Sequence, residues 1–333
     1  MKNKYRNIFF LFGLIAIAIM LWKFDMSWDE LWSNLSKAGI WFPAVVILWV
    51  FIYMMNALSW FCIINDGENK SKVPYWKVYK FTITGFALNY TTPVGLMGGE
   101  PYRIMELSPY VGTAKATSSV ILYVMMHIFS HFCFWIMSLV LFLCLYFDKI
   151  NAMTGILLAI IGFVCFIAVY FFMKGYKNGL AMKGLRILTH LPFIKNWAKK
   201  FIENKRESIE KVDQQIADLH KQRKVTFYTS LGLEFGARVV GCVEIYFILL
   251  IFTSDVSFLD CILIQAFSSL FANALFFSPM QLGAREGGLA IITSELSMKS
   301  AFGVTTGLIT RVRELIWIVI GMALMKVGNG RKN

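Results

Sequence analysis

Long uncharged apolar runs constrain this chain before anything else does. The stretch ILLAIIGFVCFIAVYFFM at 156–173 has no Asp, Glu, Lys, Arg or His in 18 residues. A run of roughly 20 such residues is what a helix needs to cross the hydrocarbon core of a bilayer. Several others of similar length recur along the chain, which is 57% hydrophobic and 16% charged, with a mean hydropathy of +0.60. A soluble domain is nearer about a quarter charged. The expected class is therefore all-α: a polytopic integral membrane protein, read as one membrane domain over 1–333.

Six full spans are expected, at about 8–24, 41–64, 118–147, 154–173, 226–252 and 302–325. The N-terminal run follows MKNKYRN and leads into KFDMSWDE without a small-residue cleavage site, so an uncleaved first span is expected. Two further apolar stretches are broken. One, 75–106, is interrupted at Pro93 and at Gly98-Gly99; the other, 259–296, is interrupted at Pro279 and Gly283. Each reads as a re-entrant hairpin that enters the membrane, breaks and returns on the same side. Irregular backbone at that depth is tolerated only inside protein or against a watery cavity.

Loop charge supports this layout. With the N-terminus inside, the inner segments hold 3 Lys/Arg in 1–7, 6 in 65–117, 13 in 174–225 and 3 in 326–333, against four outside (Lys23, Lys37, Lys149, Lys299). Such a bias places both termini on the cytoplasmic side of the plasma (inner) membrane. The net charge of +13 is thus topological, and nucleic acid is not an expected partner. The basic segment 174–225 carries Trp197, Phe201, Ile209, Val212, Ile216 and Leu219 at helical spacing. It reads either as a helix docking on anionic headgroups or as a cytoplasmic helix packed on the rest of the protein. The six cysteines lie in or beside apolar runs with no CxxC pair, and are expected to be buried hydrophobes.

The two broken stretches echo each other. PVGLMGGE at 93–100 and PMQLGARE at 279–286 share P-x-x-L-x-x-x-E, and each follows an apolar segment containing an asparagine, Asn89 or Asn273. With the first hairpin entering from inside and the second from outside, the pair has the form of an inverted repeat with a site near the midplane. Pro101 suits the first turn of a helix. A helix starting near Glu100 would turn free N–H groups and a positive dipole end toward a cavity, an arrangement that favours an anion.

Ionisable groups at bilayer depth are costly, by about 2.5–3.5 kcal/mol on insertion scales. This chain carries Glu100, Arg103, Arg285 and Glu286 in the hairpins and Glu234, Arg238 and Glu244 in the fifth span. It adds Arg311, Arg313 and Glu314 in the last. Arginine forks match two phosphate oxygens at once. The candidate substrate-binding residues are Glu100, Arg103, Arg285, Glu286, Arg311 and Arg313, supported by Asn89, Glu234, Arg238, Asn273 and Glu314. The plain alternative is an internal salt-bridge network, and Glu234 and Arg238, four apart, can pair on one face. Between Arg311 and Arg313 the choice stays open. His127 and His131 share a face and are expected to be buried hydrogen-bonding histidines. There is no HExxH, Walker loop, nucleophile elbow or dinucleotide fingerprint, so no metal, cofactor or catalytic residue is expected.

PVGLMGGEPYR and QLGAREGGLAIITSEL together resemble the two signature elements of flippase-like proteins related to the transmembrane domain of lysylphosphatidylglycerol synthase. The Arg-bearing last span, with Trp317 and Gly321 behind it, is similar to that family's closing helix, and the resemblance covers nearly the whole chain. It implies a membrane protein that handles lipids; in the fused synthases this domain is associated with moving aminoacylated phosphatidylglycerol across the bilayer. Relatives are attached to glycosyltransferases or stand alone. Glu100, Arg103, Arg285 and Glu286 carry over by motif. Gln281-Leu282-Gly283-Ala284 departs from the common Gly-Leu-Gly-Val. No soluble aminoacyltransferase domain follows the last span, so synthesis of lysyl-lipid is not expected.

The expected function is transfer of a phospholipid or polyprenyl-linked lipid between leaflets, without enzymatic chemistry. The rivals are a membrane enzyme on a lipid-linked substrate, a small-solute or ion transporter, and a partner of a separate synthase or glycosyltransferase.

Overall fold

A computed structural model describes residues 38–66, 71–91, 98–177, 224–274 and 284–326, with a few single positions elsewhere. The expected first span, most of the 174–225 segment and the two hairpin turns with Pro93, Pro279 and Gly283 lie outside the described residues. Among the described residues the regular structure is entirely helical. It comprises α1 (Trp41–Ile64), α2 (Tyr75–Thr91), α3 (Gly99–Val111), α4 (Thr113–Leu145) and α5 (Ala152–Lys177). Then follow α6 (Lys224–Leu249), α7 (Phe258–Ala274), α8 (Ala284–Glu295) and α9 (Ser300–Lys326). A single 3-10 turn, Phe147–Lys149, joins α4 to α5.

Helices α1, α4 and α5 are long and apolar enough to cross a membrane by length and composition. On α5 the large side chains Met153, Ile156, Phe163 and Phe166 are exposed, as a lipid-facing helix requires. Helices α6 and α9 are as long as a span but carry buried charges, and they lie inside the bundle. The most extensive helix contact is between α1 and α6. It is tied by the Ser59 and Ser230 hydroxyls, 2.6 Å apart, with Gly236 of α6 beside Met55. Small residues and paired hydroxyls at such contacts are the usual means of holding helices together without a hydrophobic drive.

The two broken stretches are each a pair of short packed helices. In the first, α2 and α3 run antiparallel. Lys77 reaches Tyr110 near the base, Arg103 Nη2 donates to the Thr82 carbonyl midway, and Gly99 N–H donates to Asn89 Oδ1 at 2.6 Å near the tip. The arms approach so closely that a Cβ on Gly99 would collide with the Gly85 carbonyl. Gly112, at φ +80°, ends α3 and starts α4, a conformation that favours glycine. In the second, α7 packs on α8 with Phe271 3.2 Å from the position of a Cβ on Gly288.

Helix α9 joins the pairs. Its N-terminal half lies on α8, where a Cβ on Gly303 would meet the Leu289 carbonyl and one on Gly307 would sit 2.9 Å from Glu286. Its C-terminal half lies on α2, where a Cβ on Gly321 would sit 2.6 Å from Ala87 Cβ, while Ile318 and Met322 pack with Leu88 and Tyr102. The two pairs thus occupy opposite halves of one helix. Their broken ends converge beside its middle, where Arg311, Arg313 and Glu314 stand.

Candidate functional site

Around that midpoint lies a cavity of 260 Å³, with walls from α1, α2, α4, α6, α7, α8 and α9. Three arginines (Arg238, Arg285, Arg313) and three glutamates (Glu234, Glu244, Glu314) line it, with His127, His131, Asn89 and Asn273. Both asparagines of the sequence echo therefore face one space. Glu100, Arg103, Glu286 and Arg311 stand outside this lining.

The second helix pair is bonded to α9. Arg285 Nη1 donates to Glu314 Oε1 at 2.5 Å, and Arg311 Nε donates to Glu286 Oε1 at 2.8 Å. Arg311 Nη1 also reaches Glu314 Oε2 at 3.4 Å. Glu314 thus bridges two arginines that arrive from different helices. Arg313 touches only the edge of this group, with its Nη1 3.9 Å from Glu314 Oε1. Its Nε and Nη2 both bond Glu244 on α6, at 2.9 and 3.0 Å, and its guanidinium lies 3.8 Å from the Trp49 ring centroid. Trp49 Nε1 in turn donates to Glu244 at 2.8 Å, closing a three-helix clamp between α1, α6 and α9. Of the two arginines left open by the sequence, Arg313 lines the cavity and Arg311 bonds the α8 acid.

In the first pair Glu100, Arg103 and Asn89 bond one another, while Glu100 Oε2 and Arg103 Nε are left without a partner. Arg103 is 1% exposed, and its Nη1 donates to Glu100 Oε1 at 3.1 Å. Asn89 donates to the same oxygen at 3.0 Å. The guanidinium sits between the Phe86 and Tyr123 rings, 4.9 and 5.4 Å from their centroids. Asn89 Oδ1 takes the Gly99 N–H and Pro101 has none to offer, so this helix start is not the row of free donors expected from its prolines and glycines.

On α6 the Glu234–Arg238 pairing that the spacing allowed is replaced by bonds across to α4. Glu234 bonds His127 Nδ1 at 2.8 Å. Arg238 donates from Nε to Ser130 Oγ at 2.7 Å and from Nη2 to the His127 carbonyl at 2.5 Å. Arg238 is therefore a cavity-lining cation held by neutral oxygens. A carboxylate one helical turn away has a better-placed partner on the neighbouring helix, so spacing along one helix does not decide the bond. His127 is a hydrogen-bonding histidine, as expected. Among the described residues no group of three or more His, Cys, Asp or Glu is placed to hold a metal ion.

Sequence reading passed over Trp49, which fixes the Arg313–Glu244 pair, and the polar stripe of α7. Gln265, Ser268, Ser269 and Asn273 all line the cavity, and their spacing places them on one face of an otherwise apolar helix. That stripe was legible as a helix face that does not belong against lipid.

In chemical terms the cavity offers Arg238 and Arg285 to a phosphate, carboxylates to a cationic group, and amide and hydroxyl groups between them. Comparison with curated proteins and with solved structures returned no match. Residues 10–321 match the family model described as the lysylphosphatidylglycerol synthase TM region. With the apolar helices, that match makes this an integral membrane protein, and the chain belongs to the family of the lysylphosphatidylglycerol synthase transmembrane region.

Proposed function

We propose that this protein carries a phosphate-bearing lipid between leaflets, with the headgroup passing through the cavity and the acyl chains remaining in lipid. The observation that carries the reading is the cavity itself: a 260 Å³ space between two broken helix pairs, with Arg238 and Arg285 in its wall. Pockets for drug-sized ligands run about 300–1,000 Å³. This one has room for a headgroup and water, not for a whole lipid.

In this reading both pairs are re-entrant. Their helices have 17, 13, 17 and 12 residues. At about 1.5 Å per residue none reaches the roughly 30 Å of a hydrocarbon core. Their seats on opposite halves of α9 support entry from opposite faces, with six full spans around them. The Lys/Arg bias supports cytoplasmic termini in an inner membrane. No covalent chemistry is assigned to the site. The substrate is a phospholipid or a polyprenyl-linked lipid, supplied by a separate synthase or glycosyltransferase, and the 174–225 segment meets anionic headgroups.

The test is leaflet exchange in reconstituted vesicles with labelled phosphatidylglycerol and a labelled polyprenyl phosphate. Exchange well above empty vesicles is expected. Arg238→Ala or Arg285→Ala should cut it by about 10- to 100-fold, from the loss of roughly 1.5–3 kcal/mol of bonding to a charged group. Exchange that is no faster than in empty vesicles, or that survives both substitutions, overturns the headgroup role. The balance of three arginines and three glutamates in the lining favours one second reading, a transporter of a small zwitterion. Uptake of a labelled zwitterion without lipid exchange would decide for it.

A further inference from the structure

Five polar atoms with open valences follow one another through the bundle. Glu100 Oε2 and Arg103 Nε on α3, Tyr123 Oη and His131 Nδ1 on α4, and Glu234 Oε1 on α6 are all buried without a hydrogen-bond partner. A buried polar atom left in that state costs about 1–3 kcal/mol, and most native groups avoid it. Here they are consecutive neighbours. Glu100 bonds Arg103, whose guanidinium lies 5.4 Å from the Tyr123 ring centroid. The Tyr123 and His127 ring centroids are 6.4 Å apart, those of His127 and His131 are 5.5 Å apart, and His127 Nδ1 bonds Glu234 Oε2 at 2.8 Å.

The His127–Glu234 pair is the centre of this row. Its carboxylate is 1% exposed, while the imidazole is 31% exposed and lines the cavity. With Nδ1 engaged by Glu234, Nε2 is the imidazole's remaining nitrogen. The charged or titratable groups around the pair are Arg238 on α6, Arg103 and Glu100 on α3, and Tyr123 and His131 on α4. Tyr53 of α1 and Tyr90 of α2 share the cavity. Helix α7 presents the uncharged Gln265 and Ser269 to it. A proton gained by His127 makes an imidazolium bonded to the Glu234 carboxylate, so the added charge is not a lone buried ion.

We propose that the His127–Glu234 pair is a proton-binding site and that the row from Glu100 to His131 is the path, bridged by water, that serves it. A proton delivered as hydronium binds the free lone pair of His127 Nε2 and leaves a water molecule; its release to water on the other side returns the neutral imidazole. Gaps of several ångströms between groups with free donors and acceptors are what bridging waters fill. The proposal rests on the transport reading above, and makes movement through the cavity proton-coupled.

Two measurements test it. In the first, the full chain in phosphatidylglycerol/phosphatidylcholine vesicles, loaded with a pH-sensitive dye, is given a gradient of one pH unit. Leaflet exchange and proton entry should rise together, by up to about tenfold per coupled proton, the factor one unit carries. Glu234→Gln should remove the proton entry. Exchange that ignores the gradient overturns the proton site and leaves the lipid reading standing. Protein-dependent proton entry without exchange of any lipid, removed by Glu234→Gln, keeps the proton site and sinks the lipid reading.

The second measurement is independent of transport. The chain has 4 histidines, so labelled imidazoles can be followed by NMR in nanodiscs, with His127→Gln giving the assignment. The His127 signal should shift as the pH is lowered through the range in which the protein stays folded, and Glu234→Gln, nearly isosteric, should move the midpoint of that shift while leaving the melting curve in place. A His127 ring that takes no proton before the protein unfolds overturns the proposal.

Discussion

Glu100 and Glu286 occupy matching places in the two P-x-x-L-x-x-x-E elements, yet each finds its arginine in a different direction. Glu100 bonds Arg103, one turn along its own helix, with Asn89 from the facing arm on the same oxygen. Glu286 bonds Arg311 of α9, and its neighbour Arg285 bonds Glu314 there. Glu100, Arg103 and Asn89 bond within the first pair; the second is bolted to the closing helix by its ion pairs. Similar motifs can therefore serve different mechanics. A hairpin closed in this way breaks no such ion pair when it shifts against α9, although it must slide the tight contact of Gly321 with Ala87. A bolted one moves with α9, or must break two ion pairs to move.

The most direct way to break the comparison is to remove one arginine from each side. Arg311→Met removes the arginine bonded to Glu286 and to one oxygen of Glu314, at a site joining two helices. Breaking a buried pair from one side costs about 3–5 kcal/mol, so chemical unfolding in detergent should show a loss of that order. The double variant Arg311→Met/Glu286→Gln should recover most of it. Where Arg311→Met removes a bond from two acids, Arg103→Met unpairs one, Glu100, which keeps the Asn89 bond. Its cost should be nearer 1–3 kcal/mol, roughly that of one unsatisfied group. A larger loss for Arg103→Met than for Arg311→Met would reverse the mechanical assignment.

Packing gives the next largest effect. Gly99→Ala places a methyl against the Gly85 carbonyl and must separate the arms of the first pair, at about 1–3 kcal/mol. In the second pair Gly287 has open space around the position of a Cβ. Alanine there should be neutral or stabilise α8 by up to about 1 kcal/mol, through the lower backbone entropy it loses on folding. The melting temperature should fall for Gly99→Ala and hold or rise for Gly287→Ala.

These contrasts show which features were legible in the sequence. Span 41–64 coincides with α1 because an apolar run and a helix share their limits there. Helix α4 begins at Thr113, ahead of the apolar run, because its start is set by the backbone turn at Gly112 and not by hydropathy. That each broken stretch holds two helix arms was legible from where its prolines and glycines fall in the sequence. Partner choice was not. Whether Glu234 meets Arg238 or His127 depends on what α4 places opposite it, and a single sequence holds no record of that. The same limit applies to Arg311 and Arg313: their spacing along α9 shows that they point to different faces, but only the neighbours α8 and α6 decide which one reaches the cavity. The α7 stripe was legible and unread, since each of its polar residues is unremarkable until the four are placed on one helix face.

The smallest contrast is the sharpest test of self-containment. Asn89 and Asn273 match in the echo and both line the cavity, so equal roles would predict equal losses on removal. Their bonds differ. Asn89 accepts the Gly99 N–H and donates to Glu100, so it acts on α3 as a capping side chain does, although it sits on the opposite arm. Its replacement by alanine should cost about 1 kcal/mol, the usual worth of a cap, and should raise amide exchange at the first residues of α3. Asn273 donates back to the Ser269 carbonyl of its own helix at 2.7 Å, a bond that competes with the helix ladder and adds little to it. Asn273→Ala should therefore fall within about 0.5 kcal/mol of the parent, with amide exchange on α8 unchanged. If Asn273→Ala instead loosens α8 as Asn89→Ala loosens α3, the two pairs are closed in the same way. The difference in mechanics would then have to come from the ion pairs to α9 alone.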